Sequence, residues 1–393
     1  MNNCAFSKIW ILIILIIFIA GGILVWQIFG PGLNNRLPNV VSDNESNLHI
    51  VWSGSRFYYD QDLYYKKLDS EEKTLINTTN LGRIRRLLDG PEIAVDSKNN
   101  VHIFVGIQKE DIIIQHLIVE NGVLSFKREI RKGDETREPM ACIDNNDNIY
   151  LIYSVWNAIR DERGITTDWD IRYYFERLNP KGEILTGPIE IEGLTSLEPN
   201  VEMTGSYINK IIFSNDKLYF PVGTEQNGDE MPGYRFKYVE LDKSGKLLRL
   251  LDSPIEYYVD RYSAYKTIEE EPFAVLAIDS YRLCLENSCT IDSNNNVYYF
   301  YSLKKRGERK CYLQYKKFNQ TGEIIKEGKI TEFAKGPFYW IFDSEIFNIR
   351  SYIDKNENLH ITYYINDGFN KFSSFYSKID TDGKILTERF KIR

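Results

Sequence analysis

The chain is poor in the residues from which most catalytic and metal centres are built. Of 393 residues only 4 are His and 5 are Cys, and neither type shows the spacing of a metal site. Positive charge is also in deficit: 49 Lys and Arg stand against 56 Asp and Glu, a formal net charge of −7. No basic field for nucleic acid results. The local run Arg83-Ile84-Arg85-Arg86 reads as a solvated strand or loop edge. Helical periodicity is missing as well, which excludes helical solenoids. Disorder is excluded for most of the chain by its 43% hydrophobic and 14% aromatic content.

What is present is a repeat. An apolar run leads into an Asp/Asn-rich turn, and a second strand follows: Asp96-Ser97-Lys98-Asn99-Asn100-Val101-His102, Asp144-Asn145-Asn146-Asp147-Asn148-Ile149-Tyr150, Asp292-Ser293-Asn294-Asn295-Asn296-Val297-Tyr298 and Asp354-Lys355-Asn356-Glu357-Asn358-Leu359-His360, with a weaker copy at Asp43-Asn44-Glu45-Ser46-Asn47-Leu48-His49. A closing turn repeats independently, as in Asn179-Pro180-Lys181-Gly182, Asp242-Lys243-Ser244-Gly245, Asn319-Gln320-Thr321-Gly322 and Asp380-Thr381-Asp382-Gly383. Gly, Asn and Asp are the residues that tolerate the left-handed backbone such turns need. Two agreeing registers with abundant Tyr and Phe point to short strands in repeated units.

The expected fold is therefore all-β, a six-bladed β-propeller of four-stranded antiparallel blades, with ring closure that exchanges no strand. Blades are expected at about 38–80, 81–132, 133–193, 194–255, 284–332 and 345–393. An insertion at about 256–283 includes a short helix candidate ended by Pro272. All four histidines (His49, His102, His116, His360) fall inside predicted strands, where packing explains them better than ligation.

Ahead of the repeats, residues 9–29 carry no charge after Lys8. As a helix this segment would span about 31 Å, one bilayer crossing. The expectation is a short cytoplasmic N-terminus (1–8), a transmembrane signal anchor (9–29), a linker (30–37) and an extracytoplasmic propeller (38–393). Ala20-Gly21-Gly22 keeps a cleaved signal peptide open as the competing reading. In an oxidising compartment Cys284 and Cys289 are close enough in sequence to bridge, with Cys289–Cys311 as the alternative pairing.

Blade phasing gives the disc two faces. Turns joining strands one to two and three to four are short, whereas the connections on the other face, Asn157–Asp170, Gly223–Gly233, 256–283 and Lys335–Glu345, read as long and irregular. Loops on a rigid scaffold are where binding groups collect. The long-loop face holds Trp156, Trp169, Asp170, Asp229, Tyr258, Arg261, Tyr339 and Trp340, rings and charges suited to a glycan, peptide or protein ligand. No cofactor is indicated. Asp144-Asn145-Asn146-Asp147 and Asp380-Thr381-Asp382 place oxygens at alternate positions but lack the later acidic ligand of a calcium loop, so no metal is expected either.

The Pro-led strand, the Asp/Asn turn and the Gly turn after the third strand resemble the BNR or Asp-box propellers of the sialidase-like superfamily, over about residues 38–393. The nearest copy of the Asp box, Asp380-Thr381-Asp382-Gly383, lacks the following Trp. The resemblance implies a carboxylate-binding arginine in an Arg-Ile-Pro motif; Arg36-Leu37-Pro38 and Arg137-Glu138-Pro139 are the matching positions. It also implies two further arginines, a Tyr/Glu nucleophile and an Asp acid/base, for which no full set is assignable. Two functions follow as expectations: a non-catalytic binding propeller, or a sialidase-like glycoside hydrolase acting on an acidic sugar, with Arg36, Arg137, Asp168, Asp170, Asp260 and Arg261 as candidates.

Overall fold

The computed structural model describes residues 34–57, 60–84, 86–108, 110–195, 211–214, 216–226, 233–258, 288–292, 294, 296–304, 310–319, 323–334, 345–366 and 372–392. Within them all regular structure is strand, and no helix is long and apolar enough to cross a membrane. The expected anchor at 9–29 and the helix candidate before Pro272 lie outside the described residues.

The strands run as consecutive groups of four. The first is β1–β4 (Asn34–Ser42, Leu48–Phe57, Asp60–Leu68, Thr74–Ile84) and the second β5–β8 (Arg86–Val95, Val101–Gln108, Ile112–Glu120, Val123–Ile130). The third is β9–β12 (Glu135–Ile143, Ile149–Arg160, Thr166–Leu178, Ile184–Thr195) and the fourth β13–β16 (Ile212–Ser214, Lys217–Gln226, Gly233–Asp242, Leu247–Tyr258). The fifth is β17–β20 (Ser288–Ile291, Val297–Lys304, Lys310–Phe318, Ile324–Ala334) and the sixth β21–β24 (Glu345–Ile353, Leu359–Asn366, Phe372–Ile379, Ile385–Lys391). In every group sequence neighbours pair antiparallel, so no strand is exchanged. A single parallel pair, Ile112 with Glu135, joins the second and third groups into one eight-stranded sheet.

Burial explains the composition of each strand. In the second group the inner strands β6 and β7 are covered on both faces and tolerate continuous apolar sequence: every residue of β7 before Glu120 is buried, the Ile-Ile-Ile run included. The fourth strand is an outer edge, and β8 alternates exposed with partly buried residues. Apolar cores therefore form between groups. Val41 and Leu63 pack with Ile103 and Leu117 between the first and second. Phe104 and Ile114 meet Leu151 and Tyr153 between the second and third, and Tyr150 and Phe175 meet Phe220 and Val239 between the third and fourth. Tyr298 and Leu313 meet Ile361 and Tyr363 between the fifth and sixth. Trp52 and Ile50 meet Tyr376 and Ile392, which seats the sixth group on the first. Thr362 Oγ1 donates to the Pro38 carbonyl across that junction at 2.8 Å.

The first strands carry bulges at matching places. β1 shifts register between Arg36 and Asn39, β5 between Asp89 and Glu92, β9 between Arg137 and Met140, and β21 between Phe347 and Arg350. Leu37 (φ 52°) and Glu138 (φ 55°) are left-handed, each directly before a proline. A bulge re-aims the side chains around it, so the Pro that recurs at strand starts marks a kink.

Candidate functional site

Chemistry at the turn end of the groups is used up by structure. Asp354 Oδ1 accepts from the Asn356 and Asn358 amides at 2.8 Å each, and Oδ2 accepts from Asn358 Nδ2 at 3.1 Å. Asp43, Asp96, Asp144 and Asp292 repeat this pattern on Asn47, Asn100, Asn148 and Asn296. Two residues past the Asn, a His or Tyr returns to the same carboxylate: His49 at 3.1 Å, Tyr150 at 2.9 Å, His360 at 3.0 Å. The imidazoles continue to a third-strand group, His49 to Tyr65, His360 to Tyr376 and His102 to His116. These lines resemble acid–base relays, but all four histidines are buried. They fasten strands, as the sequence suggests.

A cavity of about 540 Å³ lies on this same end, lined by Val41, Ala94, Cys142, Phe213, Thr290 and Tyr352 among others, at least one residue from beside or within the first strand of every group. The first strands thus surround a common axis. Carboxylates at its wall are already engaged in the turns, and Asp147 accepts both the amide and the hydroxyl of Ser97 from the neighbouring turn. Among the described residues no group of His, Cys, Asp and Glu could hold a metal ion.

At the opposite end the third group assembles a different set. Arg137 stands at the β9 bulge, and its guanidinium carbon lies 4.7 Å from the Trp156 ring centroid. Glu135, two residues earlier, ion-pairs with the same guanidinium. Trp156 Nε1 donates to Ser154 Oγ at 2.9 Å, and Ser154 in turn donates to Glu138 Oε2 at 3.0 Å. The left-handed residue behind Arg137 is thereby tied to the ring in front of it. Trp169 meets Trp156 edge-on, centroids 5.8 Å apart, and both rings cap the core between the third and fourth groups.

Asp170 does not join them. β10 and β11 pair without interruption from Ile149–Leu178 to Ile159–Asp168, and side chains alternate between faces. Trp169 therefore shares a face with Trp156, while Asp168, Asp170 and Arg172 lie on the other, toward the second group. Arg172 bonds Asp170 at 2.8 Å and Glu190 at 3.2 Å, and Tyr174 donates to Glu190 at 3.1 Å. Burial and then Glu190 push the Tyr174 phenol above its usual range. The same holds for Tyr153, buried against Glu176. Neither Tyr–Glu pair is primed as a nucleophile.

The structure corrects the expected loop. Asn157–Asp170 is no irregular connection but a hairpin extension closed by the Asp161 turn, where Asp161 Oδ1 accepts from the Arg163 and Ile165 amides. Likewise β14 and β15 remain paired from Gly223–Phe236 to Gln226–Gly233. For Arg36, Tyr258 and Cys289 the structure gives strand placement alone. Asp229, Asp260, Arg261, Cys284, Tyr339 and Trp340 lie outside the described residues. The alternative bridge Cys289–Cys311 is ruled out by topology: β18 separates their strands, and Cys289 pairs with Tyr299 while Cys311 pairs with Lys304. Two strand spacings exceed the ~7 Å Cα limit of a disulfide. Sequence reasoning missed Glu135, Glu138, Ser154, Arg172 and Glu190. The offset of two from Glu135 to Arg137 on one strand was a usable signal; the Arg172–Glu190 pairing crosses an irregular register and gave none.

No protein-family model matches the chain, nor does any curated protein sequence. Solved structures do. The sialidase of Trypanosoma rangeli, in complex with 2,3-difluorosialic acid, aligns with TM-score 0.51 at 13% identity, over 87% of this chain and 54% of that one. The fold is that of the sialidase-like β-propellers. A protein of unknown function from Dyadobacter fermentans shares the propeller with TM-score 0.51 at 8% identity, covering 86% of this chain and 92% of that one. A Hadza microbial sialidase does so at 0.50 and 9%, covering 90% and 66%.

Proposed function

We propose that this chain is a six-bladed propeller, anchored in a membrane by residues 9–29 and displayed outside the cytoplasm, that binds a glycan on its long-loop face without cleaving it. The single observation that carries this reading is the separation of Trp169 from Asp170. Arg137, Trp156 and Trp169 make one surface, whereas the carboxylates Asp168 and Asp170 stand on the opposite face of the sheet. Asp170 is bound to Arg172, and Asp168 accepts the Trp169 amide at 2.7 Å. A glycosidase needs two carboxyl groups flanking one bond, and this pair does not flank the arginine. Rings beside a guanidinium suit a sugar with an acidic group, the apolar ring face stacking and the charge orienting. A peptide or protein ligand with the same features would use the same groups.

The hydrolase remains the second reading because of one observation. Arg36 and Arg137 occupy equivalent places, each before a left-handed residue and a proline at a first-strand bulge. Repeated bulges on axial strands are a means of aiming side chains at a common ligand. The test is to apply the purified full chain to a glycan array and, in parallel, to fluorogenic glycosides. Array binding lost in Arg137→Ala with no fluorophore released is the expected result. Fluorophore release that depends on Asp168 or Asp170 would replace binding by hydrolysis.

A further inference from the structure

An arginine offers two donors along one edge of its fork, Nε and one terminal nitrogen, and a free carboxylate prefers to take both. At Arg137 that edge is half filled. Nη2 is ion-paired with Glu135 Oε2, whereas Nε is buried with no hydrogen-bond partner among the described residues. Glu135 cannot easily do better, because it is tethered two residues away on β9, opposite Trp156. The Trp156 ring, 4.7 Å from the guanidinium carbon, holds the plane of the fork from one side. An untethered carboxylate has no such restriction and fits the edge that Glu135 serves poorly.

We propose that Glu135 is an internal stand-in for the acid group of the ligand: it occupies Arg137 while the site is empty and gives way when a carboxylate-bearing sugar binds. The proposal rests on the reading of this face as a glycan site. It adds a rule of selection, since Glu135 taxes the binding of every anion at Arg137 and leaves neutral sugars untouched. Both side chains are partly solvated, 28% and 19% exposed, while the facing atoms, Arg137 Nε and Glu135 Oε2, are covered, so exchange begins with the Glu135 side chain swinging away from the fork.

The test uses the purified full chain in detergent, as wild type, Glu135→Gln, Arg137→Lys and the double variant, with thermal melts confirming folding. Each is titrated with sodium acetate, glucuronic acid and glucose, and binding is read by tryptophan fluorescence and calorimetry. Removing the competing charge is expected to lower half-saturation by acetate and glucuronate about five-fold in Glu135→Gln, with glucose unchanged and the gain absent from the double variant. If acetate tightens but no sugar binds any variant, the stand-in holds for a carboxylate and the glycan reading falls. If neither anion tightens in Glu135→Gln, or the gain persists without Arg137, the stand-in is wrong whatever the sugars do.

Discussion

Arg137 lies over the ring of Trp156, and the indole N–H of that ring bonds Ser154, which bonds Glu138, the residue that follows Arg137. The closed circuit makes the tryptophan a support for the arginine as well as a lid on the core between the third and fourth groups. Trp156→Phe keeps a ring beneath the guanidinium and loses only the N–H bond, so it is expected to cost about 1 kcal/mol. Trp156→Ala also loses packing and the cation–ring contact, about 2–3 kcal/mol for a half-buried side chain. Urea denaturation of both variants checks the order. Equal losses would mean that the ring does not support the arginine.

The turn carboxylates are expected to matter more for stability than anything at the long-loop end. Burial alone would raise the Asp354 pKa, but the bonds from His360 and Asn358 hold it down to about 2. Asp354→Ala strands four donors, the Asn356 and Asn358 amides, Asn358 Nδ2 and His360 Nε2, and is expected to cost about 3 kcal/mol, Asp354→Asn about 1–2 because Oδ1 still serves the turn amides. The folded pKa lies below the unfolded 3.8. The contribution of the charged form is therefore complete above about pH 5 and is lost as pH falls toward 2. An acid titration of wild type against Asp354→Asn should show a shallower decline below about pH 4 in the variant.

These turns were the legible part of the chain, for a physical reason. Each needs an Asp and an Asn four residues on, with a left-handed residue just before the Asn at Ser46, Asn99, Asp147 and Glu357, so the pattern has fixed offsets that survive in sequence. The hairpin from Asn157 to Asp170 has no such signature. It projects beyond the cores, residues from Ile159 to Asp168 are exposed, and without a buried face there is no alternation to read. Taking it for a loop concealed the consequence of strand geometry, that Trp169 and Asp170, being adjacent, must point apart. The buried Glu92, on an axial strand beside Asn39, was invisible for the opposite reason: a single carboxylate among apolar neighbours carries no offset at all.

Two left-handed glycines separate backbone strain from packing. Gly164 (φ +76°) has nothing within 4 Å of an added Cβ, whereas at Gly245 (φ +85°) that carbon would stand 2.5 Å from the Phe175 ring. Gly164→Ala is expected to cost about 1 kcal/mol from backbone strain alone. Gly245→Ala adds overpacking of about 1–3 kcal/mol where the fourth group meets the third. Thermal melts of the pair test whether that junction is as tight as the contact implies; similar melting temperatures would show that Phe175 yields.

His116 sets the acid side of stability from within the second group. Burial, followed by repulsion from His102 and Arg128, pushes its pKa down to about 2 from 6.5. Phe104 stacks on the ring at 4.3 Å, and Gly182 of the next group packs close beside it, where an added Cβ would meet His116 Cε1 at 2.9 Å. The folded protein thus keeps this imidazole neutral where the unfolded chain protonates it. Unfolding then takes up one proton between about pH 6 and pH 3, and stability declines by about 1.4 kcal/mol per pH unit through that window. His116→Phe preserves the stack on Phe104 and removes the titration. Its unfolding free energy, measured in urea from pH 7 to pH 4, should fall less steeply than wild type by one proton's worth, even though loss of the His102 bond lowers it at pH 7. An unchanged slope would place the acid sensitivity elsewhere, in the turn carboxylates.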